Sequence, residues 1–188
     1  MKEIQALKEI DFEEIWDVVD SEGCPTGRIV KKGIPMQPGD YHLAVSVWIV
    51  NEKGEFLISR RVSSKTAAPG MWETTGGSAL AGEDALTAAL RETKEELGIA
   101  LDPGKGTLFS EYIWPHSDGS GAAFFSVWLF RQEVPLADIV LQREETCDVR
   151  WVCKEELRRL IAEGSFIPYT YLEELFRQTE ENYVPRTD

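Results

Sequence analysis

The sequence predicts an α/β (α+β) fold, in which helices and a β-sheet form a layered α/β/α domain. Strand patterns fill most of the chain, one helix pattern interrupts them, and further helix patterns close it. The chain has 188 residues, 43% of them hydrophobic and 28% charged, which suffices for the core of one domain with extensions. No internal repeat or low-complexity linker divides it. We therefore predict a single structural domain.

Two β-hairpins are predicted in the first third of the chain. Residues 13–30 hold two strands around a turn at 21–27, where Gly and Pro favour a reversal. Residues 42–50 carry aliphatic side chains at every second position, which is the period of a strand. The NEKGE turn at 51–55 and a strand at 56–61 complete the second hairpin.

The middle of the chain predicts a single long helix that two loops precede. A loop over 62–70 leads into a short extended piece at 71–75, and a glycine-containing loop over 76–82 follows. The apolar residues then recur with the helical period from Glu83 to Leu97. Gly98 follows directly, where a glycine commonly ends a helix.

The last third of the chain predicts three strands and two helices. The first strand, 108–114, is separated by a polar loop from 122–130, which is apolar on both faces and therefore predicted to be central. A short strand at 148–152 precedes helices over 154–164 and 169–181. Strands followed by terminal helices are typical of an α+β or layered domain.

Charge and composition exclude several classes of function. The formal net charge of −13 disfavours binding to a nucleic-acid polymer, although a small phosphorylated ligand can bind where a metal ion or local bases offset its charge. No apolar run is long enough to cross a bilayer, and the N-terminus lacks the apolar core of a signal peptide. The three cysteines and two histidines do not form a zinc-site pattern. We predict a cytoplasmic protein without a membrane or nucleic-acid partner.

Three glutamates crowd onto one face of the predicted helix. With about 100° of rotation per residue, Glu92, Glu95 and Glu96 lie beside the core-facing stripe and repel one another. Arg91 can pair with Glu95 at i,i+4, but one arginine cannot neutralise three carboxylates. Carboxylate oxygens are the ligands that hard divalent cations prefer. Taken alone, a run of acids is more often a solvated helix face.

The residues before the acids favour a metal site. Ala85 and Ala88 precede the acids on the same face, where their small side chains are expected to leave space for a ligand. Gly76 and Gly77 can adopt backbone conformations closed to other residues and can offer an unobstructed carbonyl. Glu83, in the first turn of the predicted helix, suits the helix dipole and can hold the preceding loop through amide hydrogen bonds.

The stretch GGSALAGEDALTAALRETKEELGI resembles the Nudix box, G-x5-E-x7-R-E-U-x-E-E-x-G-U, where U is a bulky apolar residue. The fixed positions fall on Gly77, Glu83, Arg91, Glu92, Glu95, Glu96, Gly98 and Ile99. The one departure is Thr93 at the first U, a position that faces the core. The flanking sequence extends the resemblance to 40–160. This division leaves 1–39 as an N-terminal extension with a strand hairpin and 161–188 as a C-terminal helical extension.

The resemblance implies a Nudix-type α/β/α sandwich with a mixed β-sheet. It also implies Mg²⁺- or Mn²⁺-dependent hydrolysis of a diphosphate linkage in a nucleoside diphosphate derivative or a similar small organic diphosphate. The implied metal ligands are Glu92, Glu95, Glu96 and the carbonyl of Gly76. Arg91 would orient the acids and Glu83 would support them. Such a metal offsets the charge of phosphate oxygens and generates hydroxide at neutral pH. The general base, the physiological substrate and the oligomeric state stay open, although the family suggests a homodimer.

Candidate substrate contacts lie outside the box. Family members often draw a further acid from a loop near the end of the sheet, for which the candidates are Glu144 and Glu145, with a solvated turn as the alternative. Three basic residues could reach a substrate phosphate or could instead be structural: Arg60, Arg61 and Lys65. Trp72 could stack on a base, although core packing is the alternative for a tryptophan.

Two alternative functions remain. The stretch from Tyr41 to Trp72 is similar to the branch that includes isopentenyl-diphosphate isomerases. However, Gly76 stands at the position of that enzyme's catalytic cysteine, Ser78 stands at that of a metal-binding histidine, and 122–130 carries no acid. A non-catalytic Nudix-fold binding module would be expected to lose box acids, which this chain retains. A hydrolase is therefore the main prediction.

Overall fold

The computed structural model describes residues 14–115 and 121–181, which form one curved, mixed β-sheet between helices. The strands are β1 Ile15–Val19, β2 Pro25–Lys31, β3 Tyr41–Val50, β4 Phe56–Arg61, β5 Trp72–Glu73, β6 Thr75–Ser78, β7 Gly106–Pro115, β8 Ala122–Arg131 and β9 Thr146–Val152. The helices are α1 Ala85–Leu97, α2 Lys154–Ala162 and α3 Leu172–Glu181. Two short 3₁₀ helices span Pro103–Lys105 and Leu136–Asp138. Most of the predicted loop at 115–121 and both chain ends lie outside the described residues.

Strand β3 organises the sheet. It pairs in parallel with β8 from His42 to Val50 and antiparallel with β1, β4 and β6. Strand β8 lies between β3 and β7, as predicted from its two apolar faces. Strands β5 and β9 pair antiparallel with β4. The sheet is thus mixed, as the resemblance implied.

Helices cover both faces of the sheet, which confirms the α/β/α sandwich. On one face, Val45, Val47 and Ile49 of β3 pack in a cluster with Ala88 and Leu97 of α1. On the other face, a second cluster joins β3 and β4 to α2 and α3, and its members include Trp48, Phe56, Leu157, Leu175 and Phe176. Alternation in β3 therefore separates two cores and not a core from solvent.

The segment predicted as a loop over 76–82 begins as a strand. Gly76 and Gly77 belong to β6, which pairs with Ser46 and Val45 of β3. A Cβ atom on Gly76 would lie 2.1 Å from the carbonyl oxygen of Val45, so only glycine allows this close backbone approach. The sequence signal was ambiguous because glycine marks loops and tight strand contacts alike.

The boundaries of α1 differ slightly from the prediction. The helix begins at Ala85, and Asp84 is its N-cap, since its carboxylate accepts a hydrogen bond from the N–H of Thr87 at 2.7 Å. Glu83 thus precedes the helix. The prediction for the end was right, because Gly98 has a left-handed backbone (φ 72°) and its N–H donates to the carbonyl of Lys94.

The N-terminal hairpin belongs to the same sheet. Strands β1 and β2 pair antiparallel, and β1 continues onto β3 through Val18 and Val19. The predicted division at residues 39 and 160 stays a prediction. Within 14–115 and 121–181, no helix is long and apolar enough to cross a membrane.

Candidate active site

Four glutamates gather where the C-terminal half of α1 passes β5 and β6. We call Glu73, Glu92, Glu95 and Glu96 the acidic edge. Their exposure differs widely: the side chain of Glu95 is 52% exposed, whereas that of Glu92 is 14% exposed and Glu96 is 7% exposed as a residue. Burial of several carboxylates together is costly without partners, so the neighbouring cations and donors decide what this edge can do.

Arg91 is the central cation of the site. Its Nε and Nη2 donate to the two carboxylate oxygens of Glu83 at 2.8 and 2.9 Å, which is a bidentate pair. Its Nη1 donates to Glu92 and Glu95, both at 2.9 Å, and Nη2 also donates to the carbonyl of Ser78. Arg91 therefore fixes two acids of the edge relative to the strand β6, and its implied role as the orienting residue stays a prediction.

Glu83 supports this arrangement from the loop before α1. Its carboxylate also accepts a hydrogen bond from the N–H of Leu80 at 2.9 Å, as predicted for a loop-holding residue. Burial alone would raise the pKa of Glu83, but the hydrogen bonds from Arg91 and Leu80 outweigh it and hold that pKa below its usual value. Glu83 is therefore a charged, fully partnered group.

Glu92 and Glu96 differ from Glu83 in the direction in which their pKa values are shifted. Burial raises the pKa of Glu92 to about 7, although the charge of Arg91 opposes the shift. Burial also raises the pKa of Glu96 to about 7, despite the hydroxyl of Thr75, which donates to its Oε2 at 2.5 Å. The charge of Glu73 adds to this rise. The surroundings of these two carboxylates thus hold too little positive charge to keep both of them fully ionised at neutral pH.

Gly77 leaves room for the carboxylate of one of these acids, Glu92. A Cβ atom on Gly77 would lie 2.5 Å from the carboxylate carbon of Glu92, so that carboxylate reaches the backbone of β6. Of the two alanines predicted to leave space for a ligand, Ala88 does not do so, because it is completely buried in the core. Ala85 packs against the same cluster but also lines a cavity of about 400 Å³, whose lining does not include Glu92, Glu95 or Glu96.

Thr93, the one position at which the sequence departs from the Nudix box, lies in the core as predicted. It is fully buried, and its hydroxyl donates to the carbonyl of Ala89 one turn earlier at 2.8 Å. Threonine at this position therefore leaves no unpaired polar group in the core.

Glu73 is the acid that the sequence analysis missed. It lies in β5 next to Trp72, and burial raises its pKa against the opposing charge of Arg61. Nη1 of Arg61 donates to both of its oxygens at 2.8 and 3.0 Å. One signal in the sequence could have indicated it. A glutamate lies inside the short extended piece 71–75, and a charged side chain that is buried needs a partner of opposite charge.

Arg61 and Lys65 bring positive charge to the acidic edge. Besides its bonds to Glu73, Arg61 donates from Nε to the carbonyl of Ala67 at 3.0 Å, which holds the loop after β4. Lys65 lies in that loop and forms an ion pair with Glu145. Its ammonium also interacts electrostatically with Glu96 and Glu73. Among the described cations, these two and Arg91 adjoin the acids.

The other two candidate substrate contacts point elsewhere. Arg60 donates from Nε to the carbonyl of Gly70 at 2.9 Å, on the outer side of β4. Trp72 is buried at 8% exposure, and the guanidinium of Arg150 lies 4.4 Å from its ring centroid. These contacts suit structural roles, and a substrate role for either residue stays an untested prediction.

The acids do not form a ready-made cage. Within residues 14–115 and 121–181, no three histidine, cysteine, aspartate or glutamate side chains converge as metal ligands do. Their oxygens are turned instead to Arg91, Thr75 and Arg61. A cation would have to redirect them, and their side-chain torsions permit this because glutamate is unbranched.

Comparison with known proteins identifies the family. A family model described as the NUDIX domain matches residues 40–175. The chain belongs to the Nudix family. An uncharacterised Nudix hydrolase of Listeria monocytogenes, lmo0368, is 41% identical over 165 residues, covering 87% of this chain and 94% of that protein. The predicted enzyme class, a Nudix hydrolase, is confirmed.

Two further comparisons bear on the fold and on the alternative function of this Nudix protein. The crystal structure of DR0079 from Deinococcus radiodurans aligns with a TM-score of 0.66 at 22% identity, covering 88% of this chain and 99% of that one, which supports the fold. An isopentenyl-diphosphate Delta-isomerase of Escherichia coli is 28% identical over 135 residues, covering 71% of this chain and 74% of the isomerase. The second similarity agrees with the branch that the flanking sequence resembled.

Proposed function

We propose that this Nudix protein hydrolyses a diphosphate linkage in a nucleoside diphosphate derivative or a similar small organic diphosphate, with Mg²⁺ or Mn²⁺ as cofactor. The observation that carries the proposal is the excess of buried carboxylate at the acidic edge. Glu73, Glu92 and Glu96 all have raised pKa values, and burial is the largest cause for each. A divalent cation would remove this imbalance.

The donor chemistry of the edge fits such a cation. Glu92, Glu95 and Glu96 offer carboxylate oxygens, which hard divalent cations prefer. The amide of Gly76 interacts with Glu96, and in an antiparallel ladder the N–H and C=O of one residue point to the same side. This supports the carbonyl of Gly76 as a further ligand. A bound cation would offset phosphate charge and lower the pKa of the attacking water.

The protein's own groups would position the reaction. Arg91 holds Glu92 and Glu95, and its bidentate pair with Glu83 keeps the guanidinium in place. A bound cation would lower the pKa values of Glu92 and Glu96 from about 7 and keep both carboxylates ionised as its ligands.

Arg61 and Lys65 are the groups we assign to the substrate phosphates. Both adjoin Glu73, and both bring positive charge into a protein whose formal net charge is −13. Without such local cations, the acidic surface would repel a diphosphate. The predicted cytoplasmic location and homodimer add nothing to this assignment and stay predictions.

A turnover screen tests the proposal. Purified protein with Mg²⁺ or Mn²⁺ is offered nucleoside diphosphate derivatives and prenyl diphosphates, and release of phosphate, pyrophosphate or a phosphomonoester is measured. Glu95→Gln and Glu96→Gln are each expected to lose more than about a hundredfold in kcat, because even outer-sphere partners of a metal are worth 10–100-fold. Glu163→Gln, an exposed glutamate after α2, is the control and should keep full activity.

Two outcomes would contradict the proposal. One is the absence of any cleaved substrate with either metal, and the other is undiminished turnover in both variants. The isomerase relative suggests a separate arm, in which deuterium uptake from solvent into isopentenyl diphosphate is followed. We expect no uptake, because Gly76 cannot supply the thiol and Ser78 cannot replace an imidazole ligand.

A further inference from the structure

Glu145 is held at a fixed place beside the proposed phosphate-binding cations. It directly precedes β9, whose Thr146 pairs with Arg61 at the end of β4. The N–H of Val62 donates to the carbonyl of Glu145 at 3.0 Å, which connects this residue to the loop that carries Lys65. The pairing of the two strands therefore brings Glu145 and Lys65 together.

The segment before Glu145 is also attached to α1. The N–H groups of Val140 and Gln142 donate to the carbonyls of Leu97 and Glu96, both at 2.9 Å. The N–H of Glu145 in turn donates to the carbonyl of Gln142 at 2.9 Å. The backbone at Glu145 is thus fixed relative to the helix that carries the acidic edge.

The carboxylate of Glu145 forms an ion pair with the ammonium of Lys65. The two side chains are 32% and 28% exposed, so the pair is shielded but not buried. Ion pairs at this level of exposure are weak and are exchanged at little cost. The other charged groups whose fields act on the ammonium are Arg61, Lys32, Glu96 and Glu73.

Lys65 differs from the two arginines of the site in how firmly it is held. Arg61 donates to Glu73 and to the carbonyl of Ala67. Arg91 donates to three glutamates and to a carbonyl. An ammonium on a flexible four-carbon stem can turn to a new oxygen without rearranging the backbone. Of the three cations, Lys65 is therefore the one that an incoming anion can redirect.

We propose that Glu145 occupies the place of a substrate phosphate on Lys65 in the substrate-free protein and competes with the diphosphate for it. The inference rests on the proposed function. A carboxylate and a phosphate both accept hydrogen bonds from an ammonium, but a diphosphate carries more charge and can displace the carboxylate. Glu145 thereby lowers the affinity of Lys65 for the diphosphate. Under this proposal its carboxylate acts on Lys65 and does not bind the metal.

Removal of either partner has an opposite effect under this proposal. Glu145→Gln keeps the size of the side chain but ends the ion pair, so binding should tighten about two- to fivefold, the range expected for a partly exposed pair. Lys65→Met keeps the apolar stem but removes the ammonium, so binding should weaken about tenfold, as for loss of a charged hydrogen bond. The double variant should match Lys65→Met within about twofold, since Glu145 acts only through Lys65.

Calorimetric titration with methylenediphosphonate and Mg²⁺ tests these expectations without turnover. Glu144→Gln is the matched control, because it removes the same charge one residue away and should change the affinity by less than about twofold. The proposal is overturned if Glu145→Gln weakens binding, which would indicate a metal ligand, or if Glu144→Gln tightens it equally, which would indicate a general field. It is also overturned if the wild-type protein binds no diphosphonate, or if Lys65→Met binds as tightly as wild type. Tightening by Glu145→Gln in a protein that hydrolyses nothing would refute only the proposed function.

Discussion

The two ends of helix α1 both carry carboxylates, but in opposite electrostatic conditions. At the N-terminal end, hydrogen bonds hold the pKa of Asp84 and of Glu83 below their usual values, and for Glu83 they do so against burial. At the C-terminal end, burial raises the pKa of Glu92 and of Glu96 to about 7. The first pair stabilises the fold as charged groups, whereas the second pair costs stability when it is charged.

A cavity adjoins the N-terminal end of α1. It has a volume of about 400 Å³ and is lined by four acids, Asp17, Glu83, Asp84 and Glu111. Each of them already has a partner: Asp17 accepts from the N–H of Gly82 at 2.6 Å, and Glu111 accepts from the hydroxyl of Ser126 at 2.9 Å. Acids that line a cavity are thus not by themselves a functional site. Buried acids without enough positive charge are the stronger indication.

Arg91 joins the two ends, so its replacement should have the largest effect on stability. Arg91→Met keeps the stem but leaves Glu83 and Glu92 without their main cation. Breaking such a partly buried network costs about 3 kcal/mol, which corresponds to a fall in Tm of about 6–12 °C for a chain of this size. Thermal unfolding followed by circular dichroism measures this, and turnover should fall as well.

Arg159→Met is the control for Arg91. Arg159 also contacts two glutamates, Glu156 and Glu163, but its side chain is 60% exposed compared with 20% for Arg91. Its loss should cost less than about 1 kcal/mol. Equal losses of stability in the two variants would show that the network around Arg91 does not hold the ends of α1 together.

Glu96→Gln should change how stability depends on pH. The pKa of Glu96 is about 7 in the folded protein and 4.5 in the reference state. Between pH 4.5 and 7 the folded state therefore binds a proton that the unfolded state has lost, so this group makes stability fall as pH rises, and its full cost is present above pH 7. In metal-free protein, Glu96→Gln should be more stable than wild type by roughly 2 kcal/mol at pH 8, with the advantage vanishing near pH 4.5.

Denaturant titrations at pH 4.5, 6 and 8 measure this difference. Glu163→Gln should show no such trend. Addition of Mg²⁺ at pH 8 should stabilise the wild type more than Glu96→Gln, because the cation replaces the missing positive charge. If the stability advantage of Glu96→Gln stays constant between pH 4.5 and 8, the carboxylate of Glu96 is not buried without sufficient positive charge, and the description of the acidic edge is contradicted.

Much of the fold could be predicted from periodicity, because alternation and helical spacing are local. The pattern of β3, the central position of β8 and the end of α1 at Gly98 are examples. The strand β6 could not be predicted, since the reason for Gly76 and Gly77 is a close approach to β3, which is distant in sequence. Sequence patterns show where a glycine relaxes the backbone and not what packs against it.

The residues of the candidate site could be predicted where one helix carries them and not where strands bring them together. Arg91 and the three glutamates of α1 follow from the box. Glu73 comes from β5, and its importance arises only when Arg61 of β4 and Glu96 of α1 lie beside it. The pairing of Glu145 with Lys65 likewise depends on the register of β9 on β4. Each missed contact joins elements that the chain brings together only after folding.

Asp84→Ala should have the smallest effect and should affect only the fold. The carboxylate of Asp84 caps α1 through the N–H of Thr87, and loss of an N-cap costs about 1 kcal/mol. Unfolding in urea should show this loss, and Asp84→Ser should recover most of it, since serine also caps helices. Turnover well below Tm should stay at the wild-type level in both variants, because the partners of Asp84 do not include a residue of the acidic edge. A fall in kcat that serine does not restore would mean that the cavity end of α1 takes part in the reaction.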